Sequence, residues 1–507
     1  MSKHRELLRR EAERRRRFEQ RIADECRVSG HGRPASRREF LARGLIAGTA
    51  TVFLPSIATI LAREARAQTA GCQIASGGTL GAGKIPFLAI DQAGGANIAG
   101  SNVMVGKAGG QLDFLDPAGY AKLGLPAAIV PQTVGVDSTF GLAFHPKSAL
   151  LRGLMSKTSA GTRANTNGFV VPARSENDTG NNPHNPIYGI ALAGANGEFV
   201  ATIGSQNTES GGNSAAPAEM VTASLRPTKV SSRTEAMGLV GGSTSTFPNG
   251  RVAQAAGVLS ALKLGKIGEL QATKDLVQCG FDKTTATLAT TITPAQLDPN
   301  ADPILQAIFP GTELTQNADF KKAAAAMKVV INGFGGAGTI SFGGRDYHQN
   351  PRPDTDTKDF AIGQVIGASL EYAAQLLKPL MVYVFSDGSV SADTSTAEDD
   401  GNGTTKFRWQ SDDSQTAASF VLVYSPNGRP ALRNGAASQQ LGAFKAAGAI
   451  DTASSPFANS VTQLAEMVVL NYLALHGEEA KFNTVITNPG LGSGAAVAPY
   501  IAFNKIV

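Results

Sequence analysis

Two consecutive helix–strand units in the second half of the chain constrain its fold more than any other feature. Residues 320–329 are rich in Lys and Ala after a candidate cap at Asp319, which predicts a helix, and residues 338–342 predict a strand. The order then repeats, with apolar side chains at helical spacing in residues 359–378 and an apolar run at residues 380–385. Alternation at these lengths predicts right-handed crossovers and an α/β fold with a doubly wound, mostly parallel sheet.

Three further segments extend this pattern toward both ends of the chain. Residues 84–91 are a short apolar run that leads into a Gly-rich turn, which is typical of a buried strand. Residues 419–424 predict another strand, and residues 461–476 predict an amphipathic helix that packs on the sheet. The elements therefore cover most of the chain after residue 84.

The span from about residue 165 to residue 250 is polar and rich in Asn, Ser, Gly and Thr. Its short alternating runs, such as residues 188–192 and 198–203, predict short strands between loops. The sequence shows no tandem repeat that would support a solenoid or a propeller. We therefore expect residues 68–507 to form a single α/β domain in which this span is a loop-rich insertion over the sheet.

The first 67 residues have the pattern of a signal peptide. An Arg-rich stretch is followed by an uncharged stretch at residues 44–61 and by Ala-Arg-Ala at residues 65–67, a small-x-small cleavage pattern. Residues 36–41, Ser-Arg-Arg-Glu-Phe-Leu, resemble the twin-arginine consensus, which a receptor reads as an address. We expect removal of residues 1–67 and export to the periplasm, with the cell envelope or the medium as further destinations.

Loss of this segment changes the charge of the chain. Of the 46 Lys and Arg, 16 lie in the first 67 positions, against 8 of the 41 Asp and Glu, so the net charge falls from +5 to −3. The sequence therefore does not predict nucleic-acid binding. The apolar stretch is short and contains Gly44, Gly48 and Pro55, so we expect no stable transmembrane span after cleavage.

Two cysteines, Cys72 and Cys279, follow the predicted cleavage site. A disulfide between them can persist in the periplasm. Two separate buried thiols are the alternative, because separation along the sequence does not fix a distance in space.

Acidic residues and a histidine follow the predicted strands. Asp91 ends the first strand, Asp346 and His348 follow the second, and Asp387 follows the third. Because the carboxyl ends of parallel strands meet at one edge, these side chains suit a divalent cation such as zinc, manganese, magnesium or calcium. His184, on a Pro-bounded loop, is expected near the same crevice. The alternative is that the Asp residues cap turns and His348 bonds a loop.

At these positions the sequence resembles a family of twin-arginine-exported bacterial proteins of unknown function that is related to the alkaline phosphatase and sulfatase superfamily. The resemblance rests on the strand and turn at residues 91–97, Phe-His-Pro at residues 144–146, Gly-Gly-x-Asp-x-His at residues 343–348 and Val-Phe-Ser-Asp at residues 384–387. It implies an alkaline-phosphatase-like sheet whose strand ends, in active relatives, bind two metal ions and a phosphate or sulfate ester.

The resemblance also implies roles for individual residues. Four strand-end residues would be metal ligands: Asp91, Asp346, His348 and Asp387. Asn97 and Ser101 are the candidates for the catalytic position. Active relatives follow the last strand with Asp-His, but Gly388 stands in place of that His, and the one later His, His476, lies in a predicted helix.

These departures favour an exported envelope protein with a degenerate metal site and a non-catalytic binding or assembly role. Its partner would be an unknown component of the envelope. The alternative is a metal-dependent hydrolase that acts on a small anionic ester of phosphate or sulfate. Other hydrolase and nucleotide motifs find no support, because the sequence contains no Gly-x-Ser-x-Gly elbow after a strand, no P-loop and no dinucleotide fingerprint.

Overall fold

The computed structural model describes residues 83–175, 183–206, 216–222, 225–240, 249–264 and 293–507. All of them belong to one compact unit. The predicted signal region at residues 1–67, Cys72 and Cys279 lie outside the described residues. Among the described residues, no helix combines the length and the apolar character that crossing a membrane requires.

The described part of the chain contains nine strands and thirteen α-helices, numbered here in chain order. The strands are β1 Phe87–Gln92, β2 Thr166–Pro172, β3 Val200–Gly204, β4 Thr228–Lys229, β5 Gly335–Phe342, β6 Leu380–Ser386, β7 Val390–Asp399, β8 Thr405–Asp412 and β9 Ala418–Tyr424. The helices are α1 Pro117–Lys122, α2 Pro131–Val134, α3 Ala149–Ser156, α4 Ala160–Ala164, α5 Ile187–Leu192, α6 Arg233–Gly238, α7 Asn249–Leu264, α8 Pro303–Ile308, α9 Glu313–Gln316, α10 Ala318–Ile331, α11 Arg352–Gln375, α12 Val461–Leu475 and α13 Phe482–Val485.

Seven strands form one sheet in the order β2-β9-β6-β1-β5-β3-β4. The five strands from β6 to β4 run parallel, and β9 pairs antiparallel with both β6 and β2. The predicted mostly parallel α/β sheet is therefore confirmed, although the strand predicted at residues 419–424 runs against its neighbour. The remaining pair, β7 and β8, forms a separate antiparallel hairpin.

The two faces of the sheet bury different helices. All six residues of β1 are buried, and because side chains alternate along a strand, Leu88 and Ile90 join one apolar cluster while Phe87 and Ala89 join the other. The first cluster contains α10 and α11, and the second contains α5 and α12. Helices on both faces explain why the central strands are apolar throughout.

Several predicted elements differ in detail from the structure. The cap of α10 is Asn317, whose side chain accepts the amide hydrogens of residues 319 and 320, and not Asp319. Residues 187–192 form helix α5 where alternation had predicted a strand. Helix α12 was predicted to be amphipathic, but 13 of its 15 residues are buried, because the sheet and the C-terminal segment enclose it.

Some described parts of the polar span at residues 165–250 belong to the sheet itself. Its described parts supply β2, β3 and β4, which pair within the sheet. The strand predicted at residues 198–203 corresponds to β3.

Candidate functional site

The carboxyl ends of β1, β5 and β6 lie side by side and form the edge at which ligands of such sheets collect. In the strand register, Asp91 stands opposite Ser341 on one side and Phe385 on the other. We call this region the carboxyl edge and define it by Asp91, Gln92, Ser341 and Asp387. All four side chains are buried.

Asp91 is bonded to the neighbouring strand. The Ser341 hydroxyl donates a hydrogen bond of 2.8 Å to Asp91 Oδ2. The Ser341 amide in turn donates to the Ser205 hydroxyl at 2.8 Å, beyond the end of β3. A carboxylate at a strand end is thus part of a chain of hydrogen bonds that crosses three strands.

Asp387 anchors the turn that follows β1. The Gly94 amide donates to Asp387 Oδ1 at 2.6 Å, and the Ser175 hydroxyl donates to the Asp387 carbonyl at 2.7 Å. Gly94 has a φ of +130°, and a Cβ there would lie 2.5 Å from the Asp346 backbone nitrogen. Only glycine fits this close approach, so the Gly-rich turn serves to bring the loops after β1, β5 and β6 together.

Asp346 and His348 belong to a more exposed loop. The Asp346 carboxylate is exposed and accepts the His348 amide hydrogen at 2.9 Å. The His348 ring, through Nδ1, lies 3.0 Å from Asp412 Oδ2 on β8. Of the four predicted ligands, Asp91 and Asp387 are therefore buried and hydrogen-bonded at the carboxyl edge. Asp346 and His348 share one loop, and His348 also contacts the hairpin.

The predicted metal ligands do not form a complete donor set in this conformation. Among the described residues, no group of three or more His, Cys, Asp or Glu side chains is placed to hold a metal ion. Asp91 and Asp387 each hold a hydrogen-bond donor of the protein itself. Metal ligation by these four residues therefore stays a prediction.

The two candidates for the catalytic position are deeply buried. Asn97 Nδ2 donates to the Val390 carbonyl at 2.9 Å, whereas Asn97 Oδ1 and the Ser101 hydroxyl have no hydrogen-bond partner among the described residues. Their exposed fractions are 1% and 0%. A nucleophile must reach its substrate, so this burial speaks against Asn97 or Ser101 attacking an ester in the conformation described.

Two buried side chains near the carboxyl edge stand out because their polar atoms lack partners. His184 stacks on Phe385 at 5.9 Å between ring centroids, and neither ring nitrogen has a hydrogen-bond partner among the described residues. Burial lowers the pKa of His184 to about 4, so the ring is neutral near pH 7. The side-chain amide of Gln92 likewise has no hydrogen-bond partner among the described residues. Gln92 carried no sequence signal beyond its place next to Asp91.

A second buried polar cluster lies beneath the β7–β8 hairpin, and we call it the charge network. It consists of Arg352, Asp356 and Asp359 on α11, Asp400 in the hairpin turn and Lys406 on β8. The Arg352 guanidinium lies 2.9 Å from Asp356, and Lys406 Nζ contacts Asp356 and lies 3.2 Å from Asp400. Opposite charges at these distances make their burial tolerable, so the network fastens the hairpin to α11.

Asp359 is the member of the charge network that has no ion pair with a described residue. Its carboxylate accepts hydrogen bonds from the Tyr347 hydroxyl at 2.6 Å and from Asn102 Nδ2 at 2.7 Å. Burial raises the pKa of Asp359 to about 6, and the nearby Asp356 carboxylate adds to the rise. The spacing of four between Arg352 and Asp356 is the one local sequence pattern that points to this cluster.

Protein-family models, curated proteins and solved structures give no match to this chain.

Proposed function

We propose that this protein is an exported component of the bacterial cell envelope that has an alkaline-phosphatase-like α/β fold, a degenerate metal site and a non-catalytic binding or assembly role. The observation that carries the proposal is the state of the two buried carboxylates at the carboxyl edge. Asp91 accepts the Ser341 hydroxyl and Asp387 accepts the Gly94 amide. Carboxylates used in this way stabilise turns and strand ends.

The surroundings of these carboxylates support the same role. Gly388 follows Asp387 where active relatives of the resembled family carry a metal-binding His. Asp346 is exposed, and His348 contacts Asp412 of the hairpin. Loss of single ligands from a metal site typically lowers affinity and activity by large factors, so a site reduced to two buried carboxylates favours binding over turnover.

The N-terminal sequence supports export. Residues 36–41 resemble the twin-arginine consensus, and residues 44–61 and 65–67 supply the apolar stretch and the cleavage pattern. A folded protein delivered to the periplasm meets components of the envelope, which is where a binding or assembly role would be exercised.

A metal-dependent phosphate- or sulfate-ester hydrolase is the second candidate. It is favoured by the position of Asp91 and Asp387, because both lie at the carboxyl ends of the adjacent parallel strands β1 and β6. Asp91, Asp387 and residues of the neighbouring loops would then hold a divalent cation, which would polarise the ester oxygen.

Elemental analysis of the protein purified from its periplasm separates the two candidates. We expect no stoichiometric zinc, manganese, magnesium or calcium, and a thermal midpoint that a chelator does not change. Asp91→Asn and Asp387→Asn should lower that midpoint, because each carboxylate holds a buried donor. Asp354→Asn, at an exposed position on α11, is the matched control.

The hydrolase would be supported by a different set of results. These are a stoichiometric metal that is lost in Asp91→Asn or Asp387→Asn but not in Asp354→Asn, and metal-dependent turnover of p-nitrophenyl phosphate or p-nitrophenyl sulfate.

Export is tested by cell fractionation. The double change Arg37→Lys, Arg38→Lys removes the arginine pair, so the full-length precursor should accumulate in the cytoplasm. Arg16→Lys, Arg17→Lys is the control, because it changes an arginine pair outside the consensus. Unchanged processing of the first variant would contradict the twin-arginine route.

A further inference from the structure

A cavity of about 790 Å³ opens beside the carboxyl ends of β3 and β4, on the far side of β5 from Asp91. Four cationic side chains line it: Lys229, Arg233, Lys321 and Lys322. We call it the basic cavity. None of its described lining residues is acidic or aromatic, and most of the others carry a hydroxyl or an amide, as in Ser232, Thr234 and Asn300.

Two of the four cations are held firmly in place. The Arg233 guanidinium makes two hydrogen bonds of 2.7 Å with the Asp298 carboxylate. Lys322 Nζ donates to the Ser341 carbonyl at 2.9 Å and lies 3.5 Å from Asp319. Groups fixed by their own partners are already oriented before a ligand arrives, which lowers the cost of binding.

The other two cations are exposed. Lys229 Nζ forms an ion pair with Glu235 Oε1 at 3.4 Å. Lys321 is exposed and has no ion pair with any described residue. The acidic neighbours of the cavity, Glu235, Asp298 and Asp319, are outnumbered by the four cations.

We infer that the basic cavity binds an organic phosphate that carries hydroxyl groups, such as a phosphorylated sugar. Its volume lies in the range of small-molecule sites, roughly 300–1,000 Å³. Ammonium and guanidinium groups form strong charge-assisted hydrogen bonds with phosphate oxygens. The hydroxyl and amide side chains match a polyol, and because no described lining residue is aromatic, a nucleobase finds no stacking partner among them.

This inference goes beyond the proposed function, and it requires no metal. The basic cavity and the carboxyl edge meet at Ser341, whose hydroxyl faces Asp91 and whose carbonyl accepts Lys322. Because the ligand would be held by cations and hydroxyls alone, binding can succeed or fail independently of any metal at Asp91 and Asp387.

Isothermal titration of the whole protein tests the inference, with a hexose 6-phosphate, inorganic phosphate and the free hexose as probes. We expect the hexose 6-phosphate to bind most tightly and the free hexose to give no heat. In the double variant Lys229→Gln, Lys321→Gln, the dissociation constant should rise by at least about tenfold. Both lysines are exposed, so the thermal midpoint should not change.

Lys445→Gln is the matched control, because Lys445 is an exposed lysine outside the cavity that has no ion pair with a described residue. This variant should bind the hexose 6-phosphate as the unmodified protein does. Equal affinity in the double variant would overturn the assignment of the cavity.

The same chemistry occurs in a lipid headgroup, and sedimentation with vesicles distinguishes the two sources. Vesicles that contain phosphatidylinositol are compared with vesicles of phosphatidylcholine alone. Co-sedimentation with the former that disappears in Lys229→Gln, Lys321→Gln assigns the ligand to a membrane, and titration without co-sedimentation assigns it to a free sugar phosphate. If neither probe shows binding that depends on these lysines, the inference is wrong.

Discussion

The charge network and the carboxyl edge are both buried, but the charge network brings opposite charges together, whereas the carboxyl edge pairs carboxylates with hydroxyl and amide donors. In the charge network, Asp356 contacts both Arg352 and Lys406. Near the carboxyl edge, the Gln92 amide and the His184 ring have no hydrogen-bond partner among the described residues. A buried pair of charges is costly to break, whereas an unpartnered buried polar group is costly to keep.

We interpret the charge network as a part of the molecule that stabilises the fold, and the polar groups near the carboxyl edge as a part that serves a binding role. The charge network joins α11 to the β7–β8 hairpin, and we expect its loss to destabilise the protein. The side-chain polar atoms of Gln92 and His184 make no described hydrogen bond, so we expect apolar replacements of these residues to leave the fold intact. Four measurements test this contrast.

Removal of the central carboxylate should have the largest effect. Asp356→Ala leaves Lys406 and Arg352 buried with too little opposite charge, which should lower the free energy of unfolding by about 3–5 kcal/mol. Urea denaturation measures this change in the free energy of unfolding. Glu479→Ala breaks an exposed ion pair with Arg433 and should cost less than about 1 kcal/mol. If both variants lost the same free energy of unfolding, the charge network would not be a major source of stability.

Acid should destabilise the protein through its buried histidines. Burial lowers the pKa of His145, His184 and His476 to about 4. The unfolded chain binds these protons near pH 6.5, so the stabilising contribution is complete above that pH and is lost as the pH falls toward 4, by up to roughly 3 kcal/mol for each ring. His184→Phe should make the stability fall less steeply over this range. An unchanged slope would mean that His184 is not buried as described.

Asp359 should act in the opposite direction. Its pKa is raised to about 6, so the folded protein holds the proton more tightly than the unfolded chain does. The contribution is complete below about pH 4 and is lost as the pH rises through 6, which amounts to roughly 3 kcal/mol. Asp359→Asn should remove this descending part of the curve. Asp354→Asn, at an exposed site on the same helix, is the control, and identical curves for both variants would contradict the prediction.

The smallest effect is expected at Gln92. Gln92→Leu removes a buried amide without a described partner and should change the free energy of unfolding by no more than about 1 kcal/mol. Gln440 is the matched control, because its amide bonds the carbonyl and the amide nitrogen of Gly106, both at 2.8 Å. Gln440→Leu should cost about 2–3 kcal/mol. A large loss for Gln92→Leu would show that Gln92 has a partner after all.

The sequence predicted the parallel centre of the fold well because buried strands and their covering helices leave periodic patterns. The strand at residues 380–385 and the helix at residues 359–378 correspond to β6 and α11, although α11 begins earlier, at Arg352. Helix α5 escaped prediction because six residues are too few to distinguish alternation from a buried helical turn.

The candidate site was predicted less completely, for a physical reason. Position at a strand end placed Asp91 and Asp387 at one edge, and both are there. Which donor each carboxylate holds depends on side chains far along the chain, such as Ser341 for Asp91. The basic cavity likewise unites Lys229 with Lys321, and no local pattern records that proximity.

The position of β1 in the sheet has a consequence for how this chain is made. The first strand lies at the centre, yet Asp91 bonds a residue 250 positions later, and Gln92 bonds one 294 positions later. At about 5–20 residues per second, a ribosome needs roughly 15–60 s to supply those partners. During that time the apolar strand from Phe87 to Gln92 lacks both of its strand partners in the nascent chain, so the sheet is completed only after most of the polypeptide has been synthesised.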